Sequence, residues 1–179
     1  MGGTSRRVSV TAGAAGIGRA IAGAFPAGGH RVHVCDIVAE ARADFSAASP
    51  AAGTTRAGIA EVDDVERVFE NLHLRLYGLD VLFNNARIAG STRPVETVSP
   101  ADWRRCVAVN LDSAFLCARR AAPLLEPQRA GVIVNIASTA GLHGYPDRTP
   151  CAAAEWSHRP RRDASPTGRS RSTLTRSRW

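Results

Sequence analysis

Residues 11–18 form the glycine-rich stretch Thr-Ala-Gly-Ala-Ala-Gly-Ile-Gly. It follows a predicted strand, residues 8–11, and leads into a predicted helix. Glycines between a strand and a helix let the backbone approach a diphosphate, and the positive N-terminal end of the helix then faces that group. Glycine-rich turns also occur where a strand simply packs closely against a helix. The stretch alone therefore leaves both interpretations open.

An aspartate lies where a second strand is expected to end. Asp36 follows the predicted strand 31–35 and comes twenty residues after Gly16. A carboxylate at this place accepts hydrogen bonds from the ribose of an adenine nucleotide and repels a 2′-phosphate. The alternative is a helix cap or a turn residue. The turn and the spacing together favour dinucleotide binding, with NAD preferred over NADP.

Strand-length apolar runs alternate with helical patterns along the rest of the chain, which is typical of βαβ units. The predicted strands are residues 8–11, 31–35, 54–59, 81–84 and 132–137. One helix is predicted behind an N-cap at Asp64, and another from a cap at Ser99 to about Leu125. Right-handed connections in this order predict an α/β fold, a Rossmann-like doubly wound parallel sheet of order 3-2-1-4-5. The fold is expected to be incomplete at its C-terminal end.

Charge separates the chain into two parts. The net charge is +7, and seven arginines against one acid in residues 157–179 account for most of it. We expect a dinucleotide-binding domain over residues 1–156 and a disordered, Arg-rich tail over residues 157–179. Nucleic acid is not expected as a partner, because basic low-complexity ends are usually solvated.

Composition bounds the class of protein further. No apolar run reaches the 18 residues of a membrane span, so no membrane partner is expected. The four cysteines are scattered without the spacing of metal ligands, so we predict no metal site and a reducing, cytoplasmic location.

Several further motifs resemble the short-chain dehydrogenase/reductase family, whose first turn is typically Thr-Gly-x-x-x-Gly-Ile-Gly. Residues 78–86, Gly-Leu-Asp-Val-Leu-Phe-Asn-Asn-Ala, are similar to the family's Asn-Asn-Ala-Gly strand end. Asn110 matches the helix asparagine of the family. Residues 133–138, Ile-Val-Asn-Ile-Ala-Ser, match the strand that bears its catalytic serine. The resemblance covers about residues 6–156.

The resemblance implies a nicotinamide-dependent oxidoreductase that interconverts secondary alcohols and ketones. It also implies a small-molecule substrate and the homo-oligomeric state usual in the family, although this chain is expected to lack part of that interface. The positions that match cofactor-binding residues are Thr11, Gly13, Gly16, Ile17, Gly18, Asp36, Glu61, Val62, Asn84, Asn85 and Ala86. The positions that match catalytic residues are Asn110, Ser138, Cys151 and Glu155.

The largest departure from the family concerns its Tyr-x-x-x-Lys pair. In the family the tyrosine is the general acid or base, and the lysine lowers its pKa and holds the nicotinamide ribose. Here Cys151 and Glu155 stand at these positions, and the sequence contains no lysine at all. A carboxylate in place of the ammonium group should raise the pKa of a neighbouring acid rather than lower it. We therefore predict impaired catalysis; the alternatives are a rearranged acid, or a non-catalytic nucleotide-binding or interaction module.

Three smaller departures lie around the expected cofactor. Ala12 replaces the first glycine of the family turn, and Glu61 stands where an aspartate usually contacts the adenine. Arg87 replaces the glycine of Asn-Asn-Ala-Gly. Its guanidinium group is expected either to block the site or to pair with a phosphate.

Overall fold

The computed structural model describes residues 5–128, 130–143 and 145–157. The predicted tail lies, apart from Ser157, outside the described residues.

Helices and strands alternate along the described chain. The strands are β1 (Arg7–Thr11), β2 (Arg31–Asp36), β3 (Gly53–Arg56), β4 (Val81–Asn84) and β5 (Val132–Asn135). The helices are α1 (Gly16–Ala24), α2 (Ala39–Ala48), α3 (Val62–Leu76), α4 (Pro100–Val107), α5 (Ser113–Leu125) and α6 (Thr149–Trp156). A π turn, Ala108–Asp112, joins α4 to α5.

The strands form one parallel sheet of order β3-β2-β1-β4-β5. This confirms the predicted doubly wound sheet. Within the described residues, β5 pairs only with β4. Because all strands run the same way, their carboxyl ends meet at one edge, which is where ligands of such sheets bind.

Apolar side chains fill the space on both faces of the sheet, which is why the strands are apolar almost throughout. One cluster joins the inner faces of α3 and α5 to the sheet, with Leu72, Leu82 and Ala121 fully buried. The other packs α1 and α2 against β1 and β2, and it surrounds Phe45 and Val10. By packing on both faces of the sheet, the two clusters fix the positions of the carboxyl ends of the strands relative to one another.

The third strand is shorter than predicted. It ends at Arg56 rather than at residue 59, because residues 57–61 leave the sheet in a turn closed by a bond from Glu61 N to Gly58 O (2.9 Å). The N-cap of α3 is accordingly Glu61 and not Asp64. Asp64 instead accepts a hydrogen bond from Gly58 N at 2.5 Å and so stabilises the turn.

The helix predicted from Ser99 begins where expected. Ser99 Oγ accepts a hydrogen bond from Asp102 N at 3.0 Å, and Pro100 occupies the first turn. The predicted single helix is interrupted at its centre by the π turn.

The last strand is also shorter than predicted, because β5 ends at Asn135 instead of residue 137.

Candidate functional site

Two adjoining cavities open at the carboxyl edge of the sheet. The first, which we call the large cleft, has a volume of about 870 Å³. Its wall includes Ala12 after β1, Asp36 at the end of β2, Gly58 after β3 and Glu61 at the start of α3. A volume of this size lies in the usual range of ligand sites, roughly 300–1,000 Å³.

The second, which we call the small cavity, has a volume of about 380 Å³. Ser138, Arg148, Cys151 and Glu155 line it, and Arg87 lines both it and the large cleft. The two cavities therefore meet at Arg87.

The glycines of the first turn serve two purposes. A Cβ on Gly18 would lie 2.1 Å from the carbonyl oxygen of Ala12, and a Cβ on Gly13 would lie 2.7 Å from Val34 Cγ1. These two glycines are therefore required for close packing. Gly16 has a φ of +51° and open space around it, so it is required for the backbone conformation. Ile17 follows it in the first turn of α1 and is half-buried. The backbone N–H groups of the first turn of α1 begin at Gly16, and such groups at the start of a helix can bind an anion.

Ala12 has a φ of +48°, in the left-handed region that favours glycine. Replacing Ala12 by glycine should raise the free energy of unfolding by roughly 0.5–1 kcal/mol, because the strain of a Cβ there exceeds the entropy that glycine adds to the unfolded chain. Denaturant unfolding measures this. The matched control is Ala20→Gly, on the exposed side of α1, which should cost about 1 kcal/mol. Losses of equal size at both positions would contradict the strain at Ala12.

Thr11 and Asn85 hold the ends of β1 and β4 together. Thr11 Oγ1 accepts hydrogen bonds from Asn85 N and Ala86 N, both at 2.9 Å. Asn85 Nδ2 donates to the carbonyl oxygens of Thr11 (3.0 Å) and Ala12 (3.1 Å). In the same way Asn84 Nδ2 donates to Asn135 Oδ1 at 2.8 Å and links β4 to β5. Thr11, Asn84 and Asn85 thus join neighbouring strands and are not among the residues that line either cavity, whereas Ala86 lines the large cleft.

Asp36 lines the large cleft and is nearly buried, with 7% of its surface exposed. Its Oδ2 accepts a hydrogen bond from Ala14 N (3.2 Å) and its Oδ1 from Val38 N (3.1 Å). A carboxylate offers about four acceptor positions. Two therefore remain for hydroxyl groups of a ligand in the cleft.

The segment after β3 contributes residues that the sequence did not single out. Gly58 and Ile59 line the large cleft, because the strand ends before them. Of the two expected adenine-side residues, Glu61 lines the cleft, whereas Val62 is 53% exposed on the first turn of α3 and is not among the residues of its wall. Gly58, a residue depleted in strands, was the signal that could have placed this turn.

Asn110 lies in the π turn and is buried. Its Oδ1 accepts a hydrogen bond from Ile88 N (2.8 Å), and its Nδ2 donates to Ile88 O (2.9 Å). Ile88 in turn lines both cavities. Asn110 therefore fixes the loop after β4, at a π turn of the kind that often marks functional sites.

Ser138, Cys151 and Glu155 are brought together in the small cavity. Cys151 and Glu155 lie one turn apart on α6, and Glu155 Oε2 accepts a hydrogen bond from Ser138 N at 2.7 Å. Glu155 is buried, with 2% of its surface exposed. Ser138 Oγ accepts a hydrogen bond from Ala140 N at 3.2 Å. The carboxylate thus anchors the segment after β5 to α6.

The Cys151 thiol is a weak acid in this site. Burial raises its pKa, and the negative charge of Glu155 raises it further, while Arg148 and Arg87 act in the opposite direction. Within the described part of the chain, no group of side chains has the arrangement of a metal site, and no helix is long and apolar enough to cross a membrane.

The sequence profile of the family described as short chain dehydrogenase matches residues 6–157. The chain belongs to the short-chain dehydrogenase family. This confirms the resemblance seen in the motifs, and membership of this oxidoreductase family implies a nicotinamide dinucleotide, NAD or NADP, as cofactor.

Individual members of the short-chain dehydrogenase family agree with this assignment. A short chain dehydrogenase/reductase of Gibberella zeae, dpfgG, is 36% identical over 141 residues, which are 76% of this chain and 52% of that protein. Levodione reductase of Leifsonia aquatica is 32% identical over 158 residues, 85% of this chain and 59% of that protein. The crystal structure of a levodione reductase superposes with a TM-score of 0.80 at 31% identity, covering 84% of this chain and 61% of the other. The chain therefore spans between half and two thirds of the length of these relatives.

Proposed function

We propose that this short-chain dehydrogenase binds NAD in the large cleft, in preference to NADP, and has lost most of the family's turnover of secondary alcohols and ketones. The observation that carries the proposal is the pair Cys151 and Glu155 in the small cavity, with the Glu155 carboxylate held by Ser138 N.

The large cleft fits a dinucleotide. The first turn reaches the wall of the large cleft at Ala12, and the left-handed Gly16 would leave room beside this turn for a diphosphate. Asp36 would accept hydrogen bonds from the adenosine ribose. Gly58 and Glu61 would lie beside the adenine end, and Ala86 would line the middle of the cleft. When bound, the nicotinamide supplies or accepts a hydride at the substrate carbon.

Proton transfer is the step that the small cavity supports poorly. A ketone oxygen that gains negative charge needs a positioned acid. At the position of the family's tyrosine this chain has Cys151, so the thiol would have to donate the proton. This buried thiol would have to become a thiolate beside the Glu155 carboxylate, which is unfavourable because burial and like charge both disfavour the anion. The sulfur also lies much closer to the helix backbone than a phenol oxygen would. Ser138 can still orient a carbonyl oxygen, but the Cys151 thiol beside it is a poor donor of the proton that this oxygen needs.

The cofactor preference requires that the repulsion of a 2′-phosphate by Asp36 exceed its attraction to Arg56. The two residues are register partners on β2 and β3, and both line the large cleft. A 2′-phosphate would meet the Asp36 carboxylate, and the repulsion of like charges at close range should cost at least about tenfold in affinity.

Fluorescence titration with NADH and NADPH tests this preference. We expect NADH to bind more tightly, and Asp36→Asn to reduce the difference by weakening NADH and strengthening NADPH. Glu40→Gln removes one exposed acid from the first turn of α2 and should leave the ratio unchanged. Equal or tighter binding of NADPH by the unmodified chain would show that Asp36 does not control the ribose site.

A second candidate function, nucleotide binding without any chemistry, is favoured by the internal role of Glu155. Its carboxylate already joins the segment after β5 to α6, so the position serves the fold rather than a reaction. The two functions differ in substrate binding: a slow dehydrogenase binds a ketone in the small cavity, whereas a pure nucleotide-binding module does not.

A further inference from the structure

Two arginines from separate segments of the chain line the small cavity. Arg87 follows β4, and Arg148 immediately precedes α6. Ser138 and Cys151 form part of the same wall. A cavity of about 380 Å³ thus presents two guanidinium groups next to the hydroxyl group of Ser138.

Both arginines have a buried nitrogen without a hydrogen-bond partner. These nitrogens are Nη1 of Arg87 and Nε of Arg148. Arg148 Nη1 donates to Ala89 O at 3.2 Å, and its guanidinium group lies 5.8 Å from the centre of the Tyr145 ring. Within the described residues, neither arginine forms an ion pair with a carboxylate. Buried charged donors without a partner are rare in proteins. Because protein atoms cover both nitrogens, they do not themselves face the small cavity, and the case for an anion depends on the charges of the residues that line it.

The charges around the small cavity favour an anion as its ligand. The two guanidinium groups face one carboxylate, Glu155, and one of its oxygens is occupied by Ser138 N. Cys151 adds no negative charge while its thiol is protonated. The cavity therefore carries a net positive charge before any ligand binds.

We propose that the small cavity binds a carboxylate group of the substrate through Arg87 and Arg148, so that the substrate is a ketone or alcohol that carries an acid group. The inference deepens the proposed function, since it takes the small cavity to be the substrate site. An oxyanion there would accept hydrogen bonds from both arginines, and charge-assisted bonds of this kind are about twice as strong as neutral ones. Ser138 would then lie beside the carbonyl oxygen of the same molecule.

The phosphates of a dinucleotide are the other possible source of an oxyanion. Arg87 lines both cavities and could contact either group. Arg148 lines the small cavity but is not among the residues around the large cleft. Arg148 therefore distinguishes the two sources.

Calorimetric titration of the full chain, with NADH present, tests the proposal with 4-oxopentanoate and its neutral amide as probes. We expect the acid to bind at least about tenfold more tightly than the amide, the effect of one charge-assisted contact. Arg148→Gln should markedly reduce that difference, with Arg87 left as the one remaining cation. Arg93→Gln, which removes an exposed arginine outside both cavities, should preserve it.

Three results would overturn the anion site. The first is equal binding of acid and amide by the unmodified chain, which decides the matter even if Arg148→Gln fails to fold. The second is an unchanged preference in a folded Arg148→Gln variant. The third is competition between 4-oxopentanoate and ADP-ribose in the absence of NADH, which would place the anion in the large cleft.

The same samples separate this inference from the proposed function. NADH binding without a preference for the acid would overturn the anion site and leave NAD binding intact. Absence of NADH binding would overturn the proposed function, and a surviving preference of the acid over the amide would still support the anion site.

Discussion

Replacing Cys151 by tyrosine together with Glu155 by lysine is expected to raise ketone turnover by about 10²–10⁴, the usual contribution of a positioned general acid. The double variant would supply a phenol at the small cavity and, one helical turn away, a cation that lowers its pKa. The initial rate of NADH oxidation over a panel of ketones measures the effect, with 4-oxo acids included.

The two substitutions should act as a unit. Cys151→Tyr alone would place the phenol beside the Glu155 carboxylate, which raises the pKa of the phenol. Glu155→Lys alone would leave the short Cys151 thiol, rather than a phenol, as the acid. Each single variant should therefore give much less than the pair, as residues of one catalytic group usually do. Glu155→Lys also removes the bond to Ser138 N, so melting curves must show that the pair is folded. A folded pair without a gain in rate would contradict the proposed cause of the impairment.

Leu72→Ala is expected to lower the free energy of unfolding by about 2–5 kcal/mol, the usual cost of removing a large side chain from a packed core. Leu72 is fully buried between α3 and the sheet, in the cluster that also contains Leu82 and Ala121. Urea unfolding followed by circular dichroism measures the loss. Leu74→Ala on the same helix is the control, because Leu74 is 68% exposed and should cost less than about 0.5 kcal/mol. Equal losses at the two positions would show that α3 does not pack on the sheet as described.

The arrangement of the sheet was predictable because it depends on patterns that extend over many residues. Alternation of strand and helix patterns predicts a parallel sheet, and the handedness of its connections predicts the strand order. The cap at Ser99 was predictable because its hydrogen bond to Asp102 N is local. The end of β3 was not predictable from the sequence. The apolar residues Ala57 and Ile59 continue the strand pattern, although they lie in the turn after β3 and pack into the core.

The π turn around Asn110 was also missed. Apolar periodicity continues through α4 and α5, and one extra residue in a helix changes that pattern too little to be noticed. The resemblance marked Asn110 as functional, but its two hydrogen bonds to Ile88 depend on tertiary structure.

In the small cavity, the sequence marked residues that the structure brings together, but not what they contact. Family motifs marked Ser138, Cys151 and Glu155, and the structure brings all three together. The bond from Ser138 N to Glu155 joins residues on different elements, so no local pattern reports it. The unpartnered nitrogens of Arg87 and Arg148 are likewise visible only once the loops that carry them are folded.

The most direct test of the central claim is a single-turnover experiment on the unmodified chain. The protein is saturated with NADH, the bound fraction is followed by its fluorescence, and an excess of ketone is added. We expect NADH to bind in the proposed cofactor site. Its fluorescence should then decay no faster than in a control that receives buffer instead of ketone, because Cys151 is proposed to be a poor proton donor. Oxidation of the bound NADH within about a second, as in a typical enzyme, would contradict the claim that Cys151 and Glu155 have disabled this dehydrogenase.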